Sequence, residues 1–157
     1  MNRIINPWRG YPGYNCFGCC PDNPIGLHLE FFEDGDYVVS TWRPGTHYQG
    51  WVNTIHGGIL STLIDEVCGW VVTRKLQTSG VTVQLNVKFR KAVLTTDPEL
   101  TIRAKVMKQV RHLLYISAEI TNSKGEVCNE GEAVYYLMPP DKAKEMGFLP
   151  CEVEKDE

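Results

Sequence analysis

The segment Thr54-Ile55-His56-Gly57-Gly58 runs from a loop into the longest helical pattern of the chain. Paired glycines at a helix start leave backbone amides open, and the first N–H groups of a helix lack intrahelical partners. With the helix dipole they make a site for an oxyanion or a polarised carbonyl, while Thr54 or His56 caps the turn. Further along lie Asp65 and Glu66, the only charges between Gly57 and Thr73. Consecutive helical residues diverge by about 100°, so these two carboxylates cannot share a face. A carboxylate among apolar neighbours is costly unless it has a partner, such as Arg74 or a basic residue of a sheet, or a chemical task. At least one of the two, Asp65 or Glu66, is a candidate for that task.

Geometry limits how these groups cooperate. Gly57 and Asp65 are separated by about 12 Å along a helix at 1.5 Å per residue. One small reacting group cannot touch both in a single chain. Two antiparallel copies of the helix, related by a two-fold axis, bring Gly57 of one beside Asp65 of the other. If the two act together, the site is shared between subunits.

The other chemistry-bearing residues are less pointed. Cys16 and Cys19 have the two-residue gap of a zinc half-site, but no second Cys-x-x-Cys or His-x-x-x-His completes it, and His28 adds only one more ligand. The Cys16, Cys19, Cys20 cluster therefore reads as an ordered loop with small buried thiols, and no metal or cofactor is expected. Between Lys88 and Arg111 stand Lys88, Arg90, Lys91, Arg103, Lys105, Lys108 and Arg111 against Asp97 and Glu99. That stretch is a solvated sheet face or a place to meet a small polyanion.

These residues need a scaffold, and 157 residues with 43% hydrophobic and 22% charged side chains supply one ordinary globular domain. Helical periodicity runs from about Gly57 to Leu76 through Ile59, Leu60, Leu63, Ile64, Val67, Val71 and Val72, with Cys68 and Trp70 widening the stripe. A helix apolar on nearly every side must be enclosed. Strict alternation then marks strands. Val81, Val83, Leu85, Val87 and Phe89 face one way, opposite Thr82; Leu100 to Val106, Leu114 to Ile120 and Glu126 to Leu137 follow. Before the helix, Leu27 to Phe32 and Tyr37 to Trp42 form a hairpin. The reading is α+β: one antiparallel sheet wrapped around a long central helix. Residues 1–26 are an irregular lead-in packed on the domain, 27–140 the domain itself, and 141–157 a short C-terminal segment ending in an acidic tail. A lone helix leaves sheet surface uncovered, which demands at least a dimer.

Charge and sorting signals bound the partners. The net charge is −3, and the acidity sits in the last seven residues, read as a solvated, mobile end. A body of balanced charge disfavours nucleic acid, and no apolar run is long enough for a membrane span. A cytoplasmic location with reduced thiols is expected.

The run His56-Gly57-Gly58-Ile59-Leu60-Ser61-Thr62-Leu63-Ile64-Asp65-Glu66 resembles the helix-opening motif of hotdog-fold acyl-CoA thioesterases of the phenylacetyl-CoA thioesterase type. The resemblance extends to Asn23-Pro24-Ile25-Gly26-Leu27, Gln49-Gly50-Trp51 and Thr82-Val83-Gln84-Leu85-Asn86, and covers about residues 16–138. It implies hydrolysis of an acyl-CoA to the acid and free coenzyme A by a homodimer or homotetramer. The Gly57 amide would polarise the thioester carbonyl, and Asp65 of the partner chain would activate water or attack directly. His56 would hold the loop, Thr82 would position water, and Gly58, Gln49 and Asn53 would line the substrate. Arg90, Lys91, Arg103 and Arg111 become candidates for the coenzyme A phosphates. The chain departs from the family at Gly50, where many relatives carry Asn or Gln. That departure keeps a second possibility in view, a non-catalytic acyl-CoA-binding module on the same fold.

Overall fold

The structure, a computed structural model, describes residues 1–155. The apolar stripe becomes helix α1 (Gly57–Val71), which buries Leu60, Leu63, Ile64, Val67, Cys68, Trp70 and Val71. Full burial of such side chains is worth about 1.5–3 kcal/mol each, so packing holds the helix. A π-helical turn, Val72–Leu76, continues it to Gln77, whose left-handed φ of 51° stops the helix where the periodicity predicts.

Strands β1 (Asn2–Arg3), β2 (Phe32–Asp34), β3 (Tyr37–Trp42), β4 (Gly80–Phe89), β5 (Leu100–Val110), β6 (Leu113–Thr121) and β7 (Val127–Leu137) form one sheet in the order β1-β2-β3-β5-β6-β7-β4. Every pairing is antiparallel. The inward residues of β5 and β6, among them Leu100, Ile102, Ala104, Leu114 and Ile116, are buried beneath α1. Gly131 of β7 lets the two layers meet: a Cβ there would fall 2.8 Å from Ile64 Cγ2.

Three expectations change. The strand expected from Leu27 is laddered only from Phe32. Leu27, Leu29 and Phe31 are buried as the alternation demands, but His28 takes a φ of 54°. The Leu27 and Leu29 amides donate instead to Phe17 O at 2.8 Å and Gly18 O at 2.9 Å, so this segment pairs with the lead-in loop. The acidic end is docked over its first residues: Cys151 is 1% exposed, and Val153 bridges Ile4. Asp156 and Glu157, the last of the expected tail, lie outside the described residues. Before it comes a short helix, α2 (Pro140–Glu145). Finally, β4 is an edge strand on which Val81 and Val83 are 51% and 54% exposed, not half-buried; Leu85 and Val87 alone pack on the core. No helix among the described residues is long and apolar enough to cross a membrane.

The helix end is tied down by Glu33 of β2. Its carboxylate accepts from Arg74 Nε at 3.0 Å and Lys75 Nζ at 2.6 Å, with only 19% of the side chain exposed. Burial alone would raise the Glu33 carboxyl, but the two cations overcome it and hold it below the usual carboxylate range. A depressed carboxyl contributes stability above its unfolded-state pKa of about 4.3 and loses it as pH falls through the folded-state value. Glu33→Gln is therefore expected to cost about 1–3 kcal/mol at pH 7 in urea unfolding. The deficit should shrink toward zero as the acid side is approached.

Candidate active site

The helix start can be accounted for donor by donor. His56 is the N-cap, and its Nδ1 accepts from Gly58 N–H at 2.8 Å. Ile59 and Leu60 N–H both donate to His56 O, at 3.0 and 3.2 Å. The Gly57 N–H alone has no acceptor among the described residues. The expected pair of open amides is thus one: Gly58 serves the cap, and Gly57 stays free at the positive end of the helix. Thr54, the other cap candidate, bridges Leu94 instead.

Farther along α1, Asp65 is half-buried and has no cation within ion-pair distance among the described residues. Arg74, one of the cations that could have partnered it, is taken by Glu33. Two hydroxyls hold the carboxylate in place of a cation. Thr82 Oγ1 donates to Asp65 Oδ1 at 2.8 Å, and Tyr135 Oη lies 2.7 Å from both Oδ1 and the Asp65 carbonyl oxygen. The second oxygen, Oδ2, accepts nothing among the described residues. Burial first, and the Asp65 charge next, push the Tyr135 hydroxyl well above its ordinary range, so it stays a donor. Asp65 and Tyr135 line one cleft of about 360 Å³ with Trp8, Cys16 and Glu66 of the same chain.

Thr82 reaches Asp65 because β4 is irregular. Pairing with β7 shifts register between Thr82 and Gln84, so Val83 is the extra residue of a bulge. Thr82, Leu85 and Val87 then face the helix while Val81 and Val83 face out. Alternation alone puts Thr82 on the outer face, which only a dimer could bring to the site; the bulge reverses this, and Thr82 meets Asp65 of its own chain. The sequence pattern alone does not single out Tyr135. The available signal was a tyrosine alternating inward with Ala133 and Leu137, whose buried hydroxyl needs an acceptor.

The remaining predicted residues divide. Arg90 and Lys91 line a pocket of about 240 Å³ with Gly57 and Phe89. Arg90 Nε pairs with Glu130 at 2.6 Å, and Lys91 pairs with Glu126. Arg103 lies 3.6 Å from Asp34 and over the Tyr37 ring, on the strand face opposite the buried Ile102 and Ala104. Arg111 sits in the β5–β6 turn with a φ of 54°. The structure places neither beside Gly57 of its own chain. Gln49 turns its Oε1 to Asn53 N–H at 3.4 Å, and Asn53 takes a φ of 66°. A Cβ on Gly50 would lie 3.3 Å from His56 Cα, so Gly50 does adjoin the helix start.

Shared acceptance at one oxygen makes a thermodynamic prediction. Thr82→Val and Tyr135→Phe should each cost about 0.5–1.5 kcal/mol in denaturant unfolding. The double variant should depart from additivity by at least about 0.5 kcal/mol, because both donors serve Asp65 Oδ1; strict additivity would reject the shared-acceptor geometry.

Residues 52–129 match the family described as the thioesterase superfamily. A curated relative from Sulfurisphaera tokodaii, named "Putative esterase", is 26% identical over 84 residues, which span 54% of this chain and 62% of that protein. A Streptococcus pneumoniae protein described as a hypothetical thioesterase, crystallised with coenzyme A, superposes with a TM-score of 0.65 at 28% identity, over 70% of this chain and 88% of its own. Further crystals of that protein carry an aspartate or a threonine changed to alanine. Zebra fish thioesterase superfamily member 2 superposes with a TM-score of 0.66 at 24% identity, over 74% of this chain and 89% of its own. The sheet wrapped on its helix is the hotdog fold that these solved structures share, and residues 52–129 within it are the part that matches the thioesterase superfamily.

Proposed function

We propose that the chain hydrolyses an acyl-CoA thioester to the free acid and coenzyme A, at a site completed by a second copy of itself. The observation that carries this reading is the unmatched pair on α1: a free Gly57 N–H at the helix start, and an Asp65 carboxylate held by hydroxyls with Oδ2 open. The coenzyme A in the pneumococcal relative supports the substrate class, and aspartate and threonine are the residue types replaced there.

The chemistry follows from those positions. The thioester oxygen accepts from Gly57 N–H, where charge developing on that oxygen gains from the helix dipole. Asp65 of the partner subunit takes a proton from water through Oδ2 as the water oxygen bonds to the carbonyl carbon. The carbon–sulfur bond then breaks, coenzyme A leaves as its thiolate, and that thiolate recovers the proton. Direct attack by Asp65 gives an anhydride that water opens, with the same net balance. Gly58 and His56 hold the turn, and Thr82 and Tyr135 fix which oxygen faces the reaction. Gln49 and Asn53 shape the loop beside it. Arg90 and Lys91, next to the Gly57 pocket, are the nearer choices for coenzyme A phosphates; Arg103 and Arg111 could serve only from another subunit.

The partner enters along β4. This strand is a sheet edge of 10 residues with exposed Val81 and Val83, a template for pairing with its own copy across a two-fold axis. A dimer so formed, alone or doubled into a tetramer, sets two α1 helices antiparallel. Val83→Lys is expected to shift the sedimentation equilibrium to monomer and to remove activity while far-ultraviolet circular dichroism is retained.

Gly50 favours a competing reading, acyl-CoA binding without turnover, since a carbonyl there meets one donor and no side-chain amide. One assay separates the two. Thiol release should be measurable for at least one member of an aryl, short-chain and long-chain acyl-CoA panel. Asp65→Asn should lower kcat by about 10²–10⁴-fold. Thermal stabilisation by acyl-CoA with no thiol release from wild type would establish the binding module instead.

A further inference from the structure

Next to Asp65, but facing the lead-in, a second cluster has no part in the thioester chemistry. Cys16 Sγ, Cys19 Sγ and a Glu66 carboxylate oxygen all lie within 4.8 Å of one another. From sequence the Cys16–Cys19 pair lacks further ligands; the fold supplies one from the middle of α1. We propose that Cys16, Cys19 and Glu66 form a binding site for a thiophilic divalent cation, with zinc as the ion that two thiolates and a carboxylate fit.

The spacing suits the ion. Tetrahedral zinc with bonds of about 2.3 Å to sulfur and about 2.1 Å to oxygen sets its sulfur–oxygen edges at about 3.6 Å. Cys16 Sγ stands 3.5 Å from Glu66 Oε1. Two flanking groups orient the donors: Tyr14 Oη is 2.8 Å from Cys19 Sγ, and Trp70 Nε1 donates to Glu66 Oε1 at 3.3 Å. Partners of this kind fix ligand geometry around metals. The loop is also shaped to receive the carboxylate. A Cβ on Gly18 would fall 2.3 Å from Glu66 Cδ, so only glycine lets the Cys-x-x-Cys turn close over this side chain. Backbone bonds from Cys20 N–H to Cys16 O at 3.1 Å and from Leu29 N–H to Gly18 O at 2.9 Å hold that turn.

Charge completes the case. Glu66 has no Lys, Arg or His within ion-pair distance among the described residues, and Cys19 is only 7% exposed. Binding Zn²⁺ would give the Glu66 carboxylate a cationic partner and release one proton from each thiol, so the net charge of the cluster is unchanged and no oxidation state changes. Water takes the fourth position on the cleft side. The ion would then clamp the lead-in to α1 and form part of the wall that Cys16 and Glu66 share with Asp65.

The test uses the full chain, reduced with a non-thiol reductant, stripped with a chelator and titrated with Co²⁺ and then Zn²⁺. Expected are one Co²⁺ per chain, a thiolate-to-cobalt charge-transfer band with the strong visible bands of tetrahedral cobalt, and their loss on adding Zn²⁺. Cys16→Ser, Cys19→Ser and Glu66→Gln should each weaken Zn²⁺ binding by more than the roughly 10–100-fold that outer-shell changes cause. Cys20→Ser should leave it unchanged. The wild-type spectrum needs no variant to fold, and its readout is independent of turnover, so thioesterase activity can fail while this site stands, or the reverse. Absence of the charge-transfer band in folded wild-type protein, or Glu66→Gln binding like wild type, overturns the proposal.

Discussion

An acidic side chain on an otherwise apolar helix governs the arrangement. Asp65 faces no cation among the described residues; it is met by the hydroxyls of Thr82 and Tyr135, both on Oδ1. A cationic partner would have neutralised the charge and sealed both oxygens. Hydroxyl donors tolerate the anion while leaving it a base, and placing both on one oxygen leaves the other without a donor in a residue that lines the cleft. The cost of holding a carboxylate there is met by the surrounding core, where α1 and the inner face of β5, β6 and β7 are packed almost without exposure.

The same helix sets a second constraint. It carries the free amide at one end and the carboxylate near its middle, about 12 Å apart at 1.5 Å per residue. No side-chain motion closes that gap within one chain. The molecule meanwhile ends its sheet on a ten-residue edge strand with valines turned outward. On the proposed reaction both features point to a second copy, one for chemistry and one for burial, and β4 serves both: its bulge sends Thr82 inward to Asp65 and Val83 outward to the edge.

Much of this was legible in the residues. The helix, its boundaries and four of the long strands follow from periodicity, because an enclosed helix and a one-sided sheet leave unmistakable repeats. Gly57 and Asp65 were visible as the open amide and the odd charge. What periodicity cannot show is where it slips. The bulge at Val83 has no signature in a run of alternating residues, so alternation puts Thr82 on the outer face. The left-handed turn at His28 likewise broke a strand whose burial pattern was correct. Contacts between distant segments were hidden for a different reason. Glu66 meeting Cys16, Tyr135 meeting Asp65 and Glu33 meeting Arg74 are products of the assembled layers, and nothing local encodes them. The partners of the basic stretch were hidden in the same way. Seven cations between Lys88 and Arg111 read as a solvated sheet face or a polyanion site, and the fold sets Arg90, Lys91 and Arg103 beside Glu130, Glu126 and Asp34.

The central claim is that one chain's Gly57 amide and the other chain's Asp65 carboxylate work on the same carbonyl. Gly57→Pro deletes that N–H at a helix position where proline is favoured, after a His56 already extended at φ −59° and ψ 132°. Gly57→Pro and Asp65→Asn should each be nearly inactive alone. Unfolded together and refolded as a mixture, they should regain about a quarter of wild-type thiol release, because random pairing gives half heterodimers, each with one intact site. A mixture no more active than its parents, with heterodimers shown to form, would contradict a site shared across the interface.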